Sequence, residues 1–332
     1  MAKGRVLSGM QASGMAHLGN YHGALKNWVR LQDEYECFFF VADWHALTTL
    51  FQEPGRIRKH CREIATDFLA CGLDPEKCTI FMQSDVLEHA ELSVLLGMIT
   101  PVPWLERVPT YKDKQREMEG HDLSSIGFLG YPVLQAADIA IYRADFVPVG
   151  EDQLPHLELT REIVRRFNHI YGADALVEPK ELLTEAKVLP GLDGRKMSKS
   201  YNNAVYLADD DETVRKKFMS AVTDPQRQRR NDPGRPEVCN IFAYHKLYTK
   251  PERLAEIDRD CRSAAIGCVD CKKELIQTFF TLFAVIRDKR RELEAKPEHV
   301  RQVLDEGAIR ARSVAQETME TVREVMQMGW KP

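Results

Sequence analysis

The chain of 332 residues carries 46 Lys and Arg against 50 Asp and Glu, so its formal net charge of −4 does not by itself indicate a nucleic-acid partner. Hydrophobic residues make up 44% and charged residues 29%, a composition that supports buried cores in about two domains and excludes disordered and collagen-like chains. The N-terminus lacks the long apolar region of a secretory signal, and the longest apolar run, Phe38–Ala42, is too short to cross a bilayer, so we expect a cytoplasmic protein with no membrane partner.

The first half of the chain alternates short apolar runs with helical patterns. Strands are predicted at Arg5–Ser8, Cys37–Ala42, Thr79–Gln83 and Val147–Val149, and helices at Tyr21–Glu34, Arg56–Cys71, His89–Met98 and Leu134–Tyr142. This alternation is typical of βαβ units, so we predict an α/β fold with a mostly parallel, doubly wound sheet. In such sheets ligands bind at the carboxyl ends of the strands.

The second half contains helical patterns with little strand signal between them. Helices are predicted at Asp209–Val222, Pro251–Ala265, Lys272–Lys289 and Pro297–Met328. The change in character falls near Leu192–Asn203, where we place the domain boundary. The sequence therefore predicts an all-helical second domain.

A glycine-containing segment, Ser8–Asn20, follows the first predicted strand and opens the first predicted helix. Its glycines let the backbone approach a ligand closely, and a helix N-terminus offers free N–H groups to a phosphate. The spacing fits neither a dinucleotide fingerprint nor a Walker loop. Taken alone, the segment is equally compatible with an ordinary turn.

A second segment, Gly194–Ser200, has two lysines and two serines at alternating positions. Lysine supplies point charges and serine supplies hydroxyl donors, which suits a mobile loop that binds polyphosphate. The alternative for so short a basic string is a solvated surface loop.

Together the two segments resemble the signature pair of class I aminoacyl-tRNA synthetases. The first is His17-Leu18-Gly19-Asn20, which departs from the family pattern H-I-G-H at Asn20, and the second is Lys196-Met197-Ser198-Lys199-Ser200, which matches fully. Further segments resemble the tryptophanyl branch of this family, and they are Gly9–Gly14, Asp43–Ala46, Tyr131–Ile139 and Val147–Gln153. The resemblance covers nearly the whole chain.

The resemblance implies a domain arrangement. A Rossmann-type catalytic domain would span residues 1–195, followed by the lysine- and serine-containing loop at 196–202. A helical anticodon-binding domain would span 203–300. A C-terminal helix at 301–332 would follow, and the sequence leaves open whether it packs back on the catalytic domain. A homodimer is also implied by the family.

The implied chemistry is activation of L-tryptophan by ATP, assisted by Mg²⁺, and transfer to the terminal adenosine of tRNA(Trp). No protein nucleophile is needed, so catalysis consists of positioning and charge stabilisation. The implied catalytic residues are His17, Asn20, Lys112, Lys196 and Lys199. The implied ATP-binding residues are Gln11, Gly19, Asn20, Gly150, Asp152, Lys196, Met197, Ser198, Lys199 and Ser200.

The resemblance also implies a tryptophan site. Asp138 matches the family position that accepts the indole N–H; the alternative is an exposed acid on a helix surface. Tyr131 and Gln153 resemble the pair that holds the ammonium group, and Gln135 replaces the methionine of many bacterial relatives. The full set of predicted tryptophan-binding residues is Leu7, His45, Tyr131, Gln135, Asp138, Val147, Val149 and Gln153.

Four cysteines fall in one segment with the spacing C-x21-C-x6-C-x2-C, and they are Cys239, Cys261, Cys268 and Cys271. Four thiolates hold either zinc or a [4Fe–4S] cluster, and four unconnected buried thiols are the structural alternative. The string Ile266–Lys273 resembles a subset of tryptophanyl-tRNA synthetases with a [4Fe–4S] cluster. The resemblance therefore favours the cluster, with Zn²⁺ as the alternative.

A dense basic run lies beside these cysteines, and its members are Arg227, Arg229, Arg230 and Arg235. In the synthetase context we expect contact with tRNA phosphates, and the alternative is a solvated face.

Three rival functions remain at this point: a tyrosyl-tRNA synthetase, a non-catalytic tRNA-binding iron–sulfur protein of the same fold, and a small-metabolite adenylyltransferase.

Overall fold

The computed structural model describes residues 4–108, 125–183, 189–199 and 201–329. The chain forms two compact units. The sheet unit comprises Met1–Gly14, Gly23–Ala186 and Lys296–Pro332, and the helical unit comprises Met15–His22 and Lys187–Ala295. The functional domain limits given above stay a prediction, because backbone compactness does not define function.

The described part of the sheet unit contains five parallel strands in the order β3-β2-β1-β4-β5. They are β1 (Arg5–Gln11), β2 (Glu36–Ala42), β3 (Cys78–Met82), β4 (Phe146–Val149) and β5 (Lys180–Leu183). The parallel order confirms the predicted fold class, and each predicted strand is present. The sequence did not reveal β5, because this short edge strand is largely exposed and has no continuous apolar run.

Helices occupy most of the remaining described chain. In chain order they are α1 (Leu18–Asn20), α2 (Lys26–Glu34), α3 (Asp43–Leu50), α4 (Pro54–Ala70), α5 (Glu88–Ile99), α6 (Val102–Glu106), α7 (Ile126–Ile141), α8 (Leu154–Tyr171), α9 (Asp211–Ser220), α10 (Asn240–Tyr248), α11 (Pro251–Arg262), α12 (Cys268–Glu294) and α13 (Pro297–Val325). A π-helical turn, Tyr21–Leu25, follows α1, and short 3-10 turns lie at Gln83–Asp85, Glu151–Gln153 and Pro236–Val238. None of these helices has both the length and the apolar character needed to span a membrane.

The core of the sheet unit lies between the sheet and its helices. Trp28 of α2 stacks on Phe39 of β2 with ring centroids 4.8 Å apart, so the apolar face of the first predicted helix is buried as expected. The C-terminal helix α13 packs against β3 and α5 of the same unit. Arg312 on α13 forms an ion pair with Glu88 on α5 at 3.0 Å, which ties the two helices together.

The core of the helical unit is aromatic. Phe279 and Phe283 of α12 stack at 4.5 Å, and Phe218 of α9 meets Tyr244 of α10 edge to face at 5.4 Å. Helix α10 was not predicted, whereas α9, α11 and α12 match predicted helices. Because α12 begins at Cys268 rather than Lys272, two of the four clustered cysteines lie in its first turn.

Candidate active site

A cavity of about 420 Å³ opens at the carboxyl ends of β1 and β4 in the sheet unit. Parallel sheets bind ligands at this edge, because strand ends and helix starts converge there. Every residue predicted for tryptophan lines the cavity, together with two of those predicted for ATP. The predicted residues brought together here are Leu7, Gln11, His45, Tyr131, Gln135, Asp138, Val147, Val149, Gly150 and Gln153.

Asp138 lies at the wall of this cavity and is 1% exposed, so it is not an exposed surface acid. Its Oδ1 accepts from His89 Nδ1 at 2.7 Å and from Gln83 Nε2 at 2.8 Å. Its Oδ2 accepts from His45 Nε2 at 2.8 Å. A buried carboxylate is stable only when hydrogen bonds of this kind replace its hydration.

The Asp138 carboxyl is ionised at neutral pH. Burial alone raises the pKa of Asp138, but the hydrogen bonds and charges of His45 and His89 outweigh burial and lower it to about 2. The cavity wall therefore presents an anionic acceptor among apolar residues. Such an arrangement favours a ligand that combines an apolar ring with an N–H donor.

Three partners in this network escaped the sequence prediction: Gln83, His89 and Tyr142, whose hydroxyl lies 2.7 Å from His89 Nε2. Gln83 comes directly after β3, and its position at the end of the predicted strand Thr79–Gln83 was the signal available in the sequence. His89 was assigned to a helix without a role.

The opposite part of the cavity is more polar. Tyr131 on α7 places its hydroxyl 3.4 Å from His156 Nε2, and His156 was not predicted. Gln153 closes the short 3-10 turn that follows β4, whereas Asp152 beside it is exposed and does not line the cavity. The Gln11 amide donates to the His45 carbonyl oxygen at 2.8 Å, which links β1 to α3.

The first signature segment lies in the helical unit. His17 caps α1: its Nδ1 accepts from the Asn20 backbone N–H at 3.2 Å, and the Asn20 side-chain oxygen accepts from the His17 N–H at 3.1 Å. His17 and Asn20 thus form a capping box at the N-terminus of α1, in which each side chain accepts from the other residue's backbone N–H. A Cβ at Gly19 would lie 2.9 Å from the His17 ring, so this approach requires glycine.

The His17 imidazole is neutral at neutral pH. Burial, together with the nearby charge of Lys199, lowers its pKa to about 4. His17 and Lys199 belong to the same helical unit. The structure therefore brings the two signature segments within electrostatic range of each other, across about 180 residues of sequence.

Asn203 organises the loop that contains the second signature segment. The Asn203 side chain is 3% exposed. Its amide nitrogen donates to Asp193 Oδ1 at 2.7 Å and to the Lys196 carbonyl oxygen at 3.1 Å. Its amide oxygen accepts from the Ser198 N–H at 2.9 Å. Met197 is buried, which anchors the loop while Lys196 stays exposed.

Two predicted residues, Lys112 and Ser200, lie outside the described residues.

The four clustered cysteines lie close enough to perturb one another. Burial and, to a smaller extent, the other three thiols raise the pKa of the Cys271 thiol to about 12. Cys261 also accepts from Arg227 Nη1 at 3.7 Å. Within the described residues, however, no group of three or more His, Cys, Asp or Glu side chains is arranged to hold a metal ion.

The predicted basic run divides into two kinds of residue. Arg227 is buried, and its guanidinium donates to the carbonyl oxygens of Arg230 and Ile266 at 3.0 and 2.7 Å. It therefore braces the cysteine segment, contrary to the expectation of an exposed phosphate contact. Arg229 and Arg230 are exposed, and Arg235 is half-buried.

Arg235 forms a two-point ion pair with Asp224, at 3.1 Å from Nε and 2.7 Å from Nη2. The guanidinium holds the pKa of Asp224 well below its usual range. Within the basic run, Arg235 thus has an internal partner.

Comparison with known proteins identifies the class. The family model described as tRNA synthetases class I (W and Y) matches residues 2–284. The chain belongs to the class I tRNA synthetases, which confirms the family resemblance drawn from the two signature segments.

Relatives narrow this assignment. The tryptophan–tRNA ligase of Thermotoga maritima is 49% identical, with 98% of this chain and 99% of the relative covered, and that of Aquifex aeolicus is 45% identical, with 98% and 100% covered. The tryptophanyl-tRNA synthetase of Campylobacter jejuni, solved with ADP and tryptophan, superposes with a TM-score of 0.90 at 37% identity, covering 98% of this chain and 100% of that one. Within class I, this chain falls in the tryptophanyl branch.

Proposed function

We propose that the chain is a tryptophan–tRNA ligase. The carboxylate of L-tryptophan attacks the α-phosphorus of ATP, which enters as its Mg²⁺ complex, and pyrophosphate leaves. The 2′-hydroxyl of the terminal adenosine of tRNA(Trp) then attacks the adenylate carbonyl and releases AMP. The observation that carries the proposal is the buried, ionised Asp138 in the wall of a cavity that is also lined by apolar side chains.

The indole ring occupies the cavity of the sheet unit in this proposal. Leu7, Val147 and Val149 provide apolar contact with the ring, and Asp138 accepts the indole N–H. The Tyr131 hydroxyl and the Gln153 amide oxygen accept from the substrate ammonium group. A site built around a hydrogen bond rejects analogues that lack the donor by about 10⁴–10⁵-fold.

The phosphates of ATP are assigned to the signature residues of the helical unit. Lys196 and Lys199 stabilise the negative charge that develops as pyrophosphate leaves. His17, neutral at physiological pH, acts as a hydrogen-bond donor rather than as a cation, and Asn20 orients it. We assign contacts with ribose and adenine to Gln11, Gly150 and Asp152.

Transfer of labelled tryptophan to tRNA tests the function. We expect ATP-dependent charging with tryptophan and none with tyrosine. Lys199→Ala should lower kcat by about 10²-fold, because a charge that stabilises the transition state is lost. Lys216→Ala, which removes a lysine from an exposed ion pair with Glu212, is the matched control. Absence of charging with tryptophan contradicts the proposal.

We also propose that Cys239, Cys261, Cys268 and Cys271 bind a [4Fe–4S] cluster, with Zn²⁺ as the alternative. The chemistry of the donor set supports this assignment: burial and neighbouring cysteines raise the pKa of the Cys239, Cys261 and Cys271 thiols, and a bound cationic centre would reverse that effect. The positive charge of Arg227 beside Cys261 offsets the negative charge of a cluster with four thiolates. Its role would be structural, in the helical unit.

Anaerobic purification followed by iron, sulfide and zinc analysis tests this site. We expect brown protein with iron and sulfide, which Cys268→Ser should lose. Cys71→Ser changes a cysteine outside the segment and should keep both. Colourless protein containing zinc supports the alternative, and protein free of metal contradicts both.

Arg229 and Arg230 are proposed to contact tRNA phosphates, because both are exposed next to the cysteine segment. The double variant Arg229→Gln, Arg230→Gln should weaken tRNA binding and reduce its salt dependence by about two counterions. Arg58→Gln, an exposed arginine on α4, is the control. An unchanged salt slope indicates a solvated face.

A homodimer is proposed on an apolar stripe of α5. Val94 is 57% and Met98 76% exposed, and Leu87, at the start of the helix, is 57% exposed on the same face. Met98→Glu should convert a dimer to a monomer in light scattering, whereas a wild-type monomer contradicts the proposal.

We propose a cytoplasmic location, where tRNA charging supplies translation.

A further inference from the structure

The carboxylate of Asp138 has two differently used oxygens. Oδ1 accepts from His89 and Gln83, which are both fully buried behind it. Oδ2 accepts from His45, and Gln83 also reaches it at 3.0 Å. Among the described donors to this carboxylate, His45 alone lines the cavity. Oδ2 is therefore the oxygen available to a ligand, and the hydrogen bonds to Oδ1 fix the orientation of the carboxylate.

The proton on His89 has a defined position. The Asp138 carboxylate accepts only, so His89 Nδ1 carries a proton. The other ring nitrogen, Nε2, forms a hydrogen bond with the Tyr142 hydroxyl at 2.7 Å. Burial raises the pKa of Tyr142 well above its usual value, so this hydroxyl remains a donor. The hydrogen bonds thus connect Tyr142 through His89 to Asp138.

This chain of hydrogen bonds is held rigidly by packing. The Tyr142 ring stacks on Phe38 of β2 at 4.9 Å and meets Phe81 of β3 at 5.6 Å. His89 lies between Tyr142 and Asp138 with no solvent exposure. The carboxylate can turn away from the cavity only if these buried bonds break, and each unmade bond leaves a polar group without a partner.

We propose that His89, which Tyr142 orients, is a positioning residue: it holds Asp138 so that the site selects substrates with an indole N–H. This inference rests on the proposed tryptophan site. His45 is the displaceable partner: the substrate N–H takes its place on Oδ2 while the bonds to Oδ1 remain. Neither His89 nor Tyr142 touches the substrate. Their contribution therefore depends on whether the substrate has a donor to offer.

The test compares tryptophan with its benzothiophene analogue, in which sulfur replaces the indole N–H. Amino-acid-dependent ATP–pyrophosphate exchange is measured for the full chain and for Tyr142→Phe, which keeps the packed ring and removes one hydroxyl. We expect the tryptophan-to-analogue ratio of kcat/KM to fall about five- to tenfold, the size of one intramolecular hydrogen bond. The loss should lie in KM for tryptophan, with the analogue unaffected. Tyr171→Phe, at the end of α8 in the same unit, is the matched control.

An unchanged ratio overturns the inference, whether neither substrate loses efficiency or both lose it equally; an equal loss indicates a merely structural role. If the wild-type chain shows no exchange with tryptophan, the proposed function fails as well, so the two failures are distinguishable.

Histidine ring NMR of the wild-type chain keeps the inference testable if Tyr142→Phe does not fold. With ¹⁵N-labelled histidine, His89 should carry its proton on Nδ1 both before and after tryptophan is added, while the His45 ring signals change. A His89 ring without a proton on Nδ1, or His45 signals that do not respond to bound tryptophan, contradicts the inference.

Discussion

Replacing Asp138 by asparagine tests the electrostatic design of the cavity without changing its shape. The carboxylate accepts from three side chains, His45, His89 and Gln83, at 2.7 to 3.0 Å. An amide offers one acceptor oxygen in place of two. At least one buried donor therefore loses its partner or changes tautomer, and the remaining bonds lose the assistance of charge.

The cost follows from these bonds. Hydrogen bonds to a charged group contribute about 1.5–3 kcal/mol and neutral ones about 0.5–1.5 kcal/mol. Each converted bond therefore loses about 1–1.5 kcal/mol and the lost bond about 1.5–3 kcal/mol, which together lower the free energy of unfolding by about 3.5–6 kcal/mol. Catalytic efficiency with tryptophan should fall about 10- to 100-fold, because the indole N–H meets a weaker acceptor. Asp305→Asn, an exposed acid on α13, should change stability by less than about 0.5 kcal/mol.

The pH dependence gives the sign of the effect. The pKa of Asp138 is lowered from 3.8 to about 2 in the folded chain, so its ionised form stabilises the fold above pH 3.8, and this contribution is lost as the pH falls toward 2. In urea unfolding, the difference between wild type and Asp138→Asn should be full at pH 6 and shrink below pH 3.8. A difference that is independent of pH, or a stable variant with undiminished activity, would refute the reasoning.

Two further predictions concern packing and the signature loop. Gly307→Ala should destabilise the chain by about 3 kcal/mol or more in urea unfolding, because its Cβ would lie 1.7 Å from the Ile80 carbonyl oxygen of a paired strand. Gly97→Ala on α5, where the added Cβ meets open space, should instead stabilise the chain by about 0.5–1 kcal/mol. Equal effects of the two substitutions would contradict this prediction. Asn203→Ala removes the hydrogen bonds that hold the loop, so KM for ATP should rise about tenfold in exchange assays while KM for tryptophan stays constant; a rise in both would indicate general unfolding.

The sequence predicted the elements with strong periodicity and the residues at strand ends. The continuous apolar run of β2 and the alternation with helices identified the parallel sheet, because buried parallel strands have this composition. The family resemblance selected the cavity residues, which then converge at one sheet edge. The short, polar edge strand β5 carried no such pattern and was missed.

The network behind Asp138 was not predictable in the same way. His89 and Gln83 lie 49 and 55 residues from Asp138 along the chain, and their convergence depends on how α5 and α7 pack. Arg227 shows the reverse case. Its position in a basic run indicated a surface contact, but its guanidinium is buried and donates to two carbonyl oxygens inside the helical unit.

Amino-acid-dependent ATP–pyrophosphate exchange tests the central claim most directly, with tryptophan, tyrosine and no amino acid compared in the same preparation. We predict exchange only with tryptophan, because the cavity pairs apolar walls with an ionised acceptor for an indole N–H. Exchange that is equal or faster with tyrosine, or no exchange with either amino acid, would contradict the account.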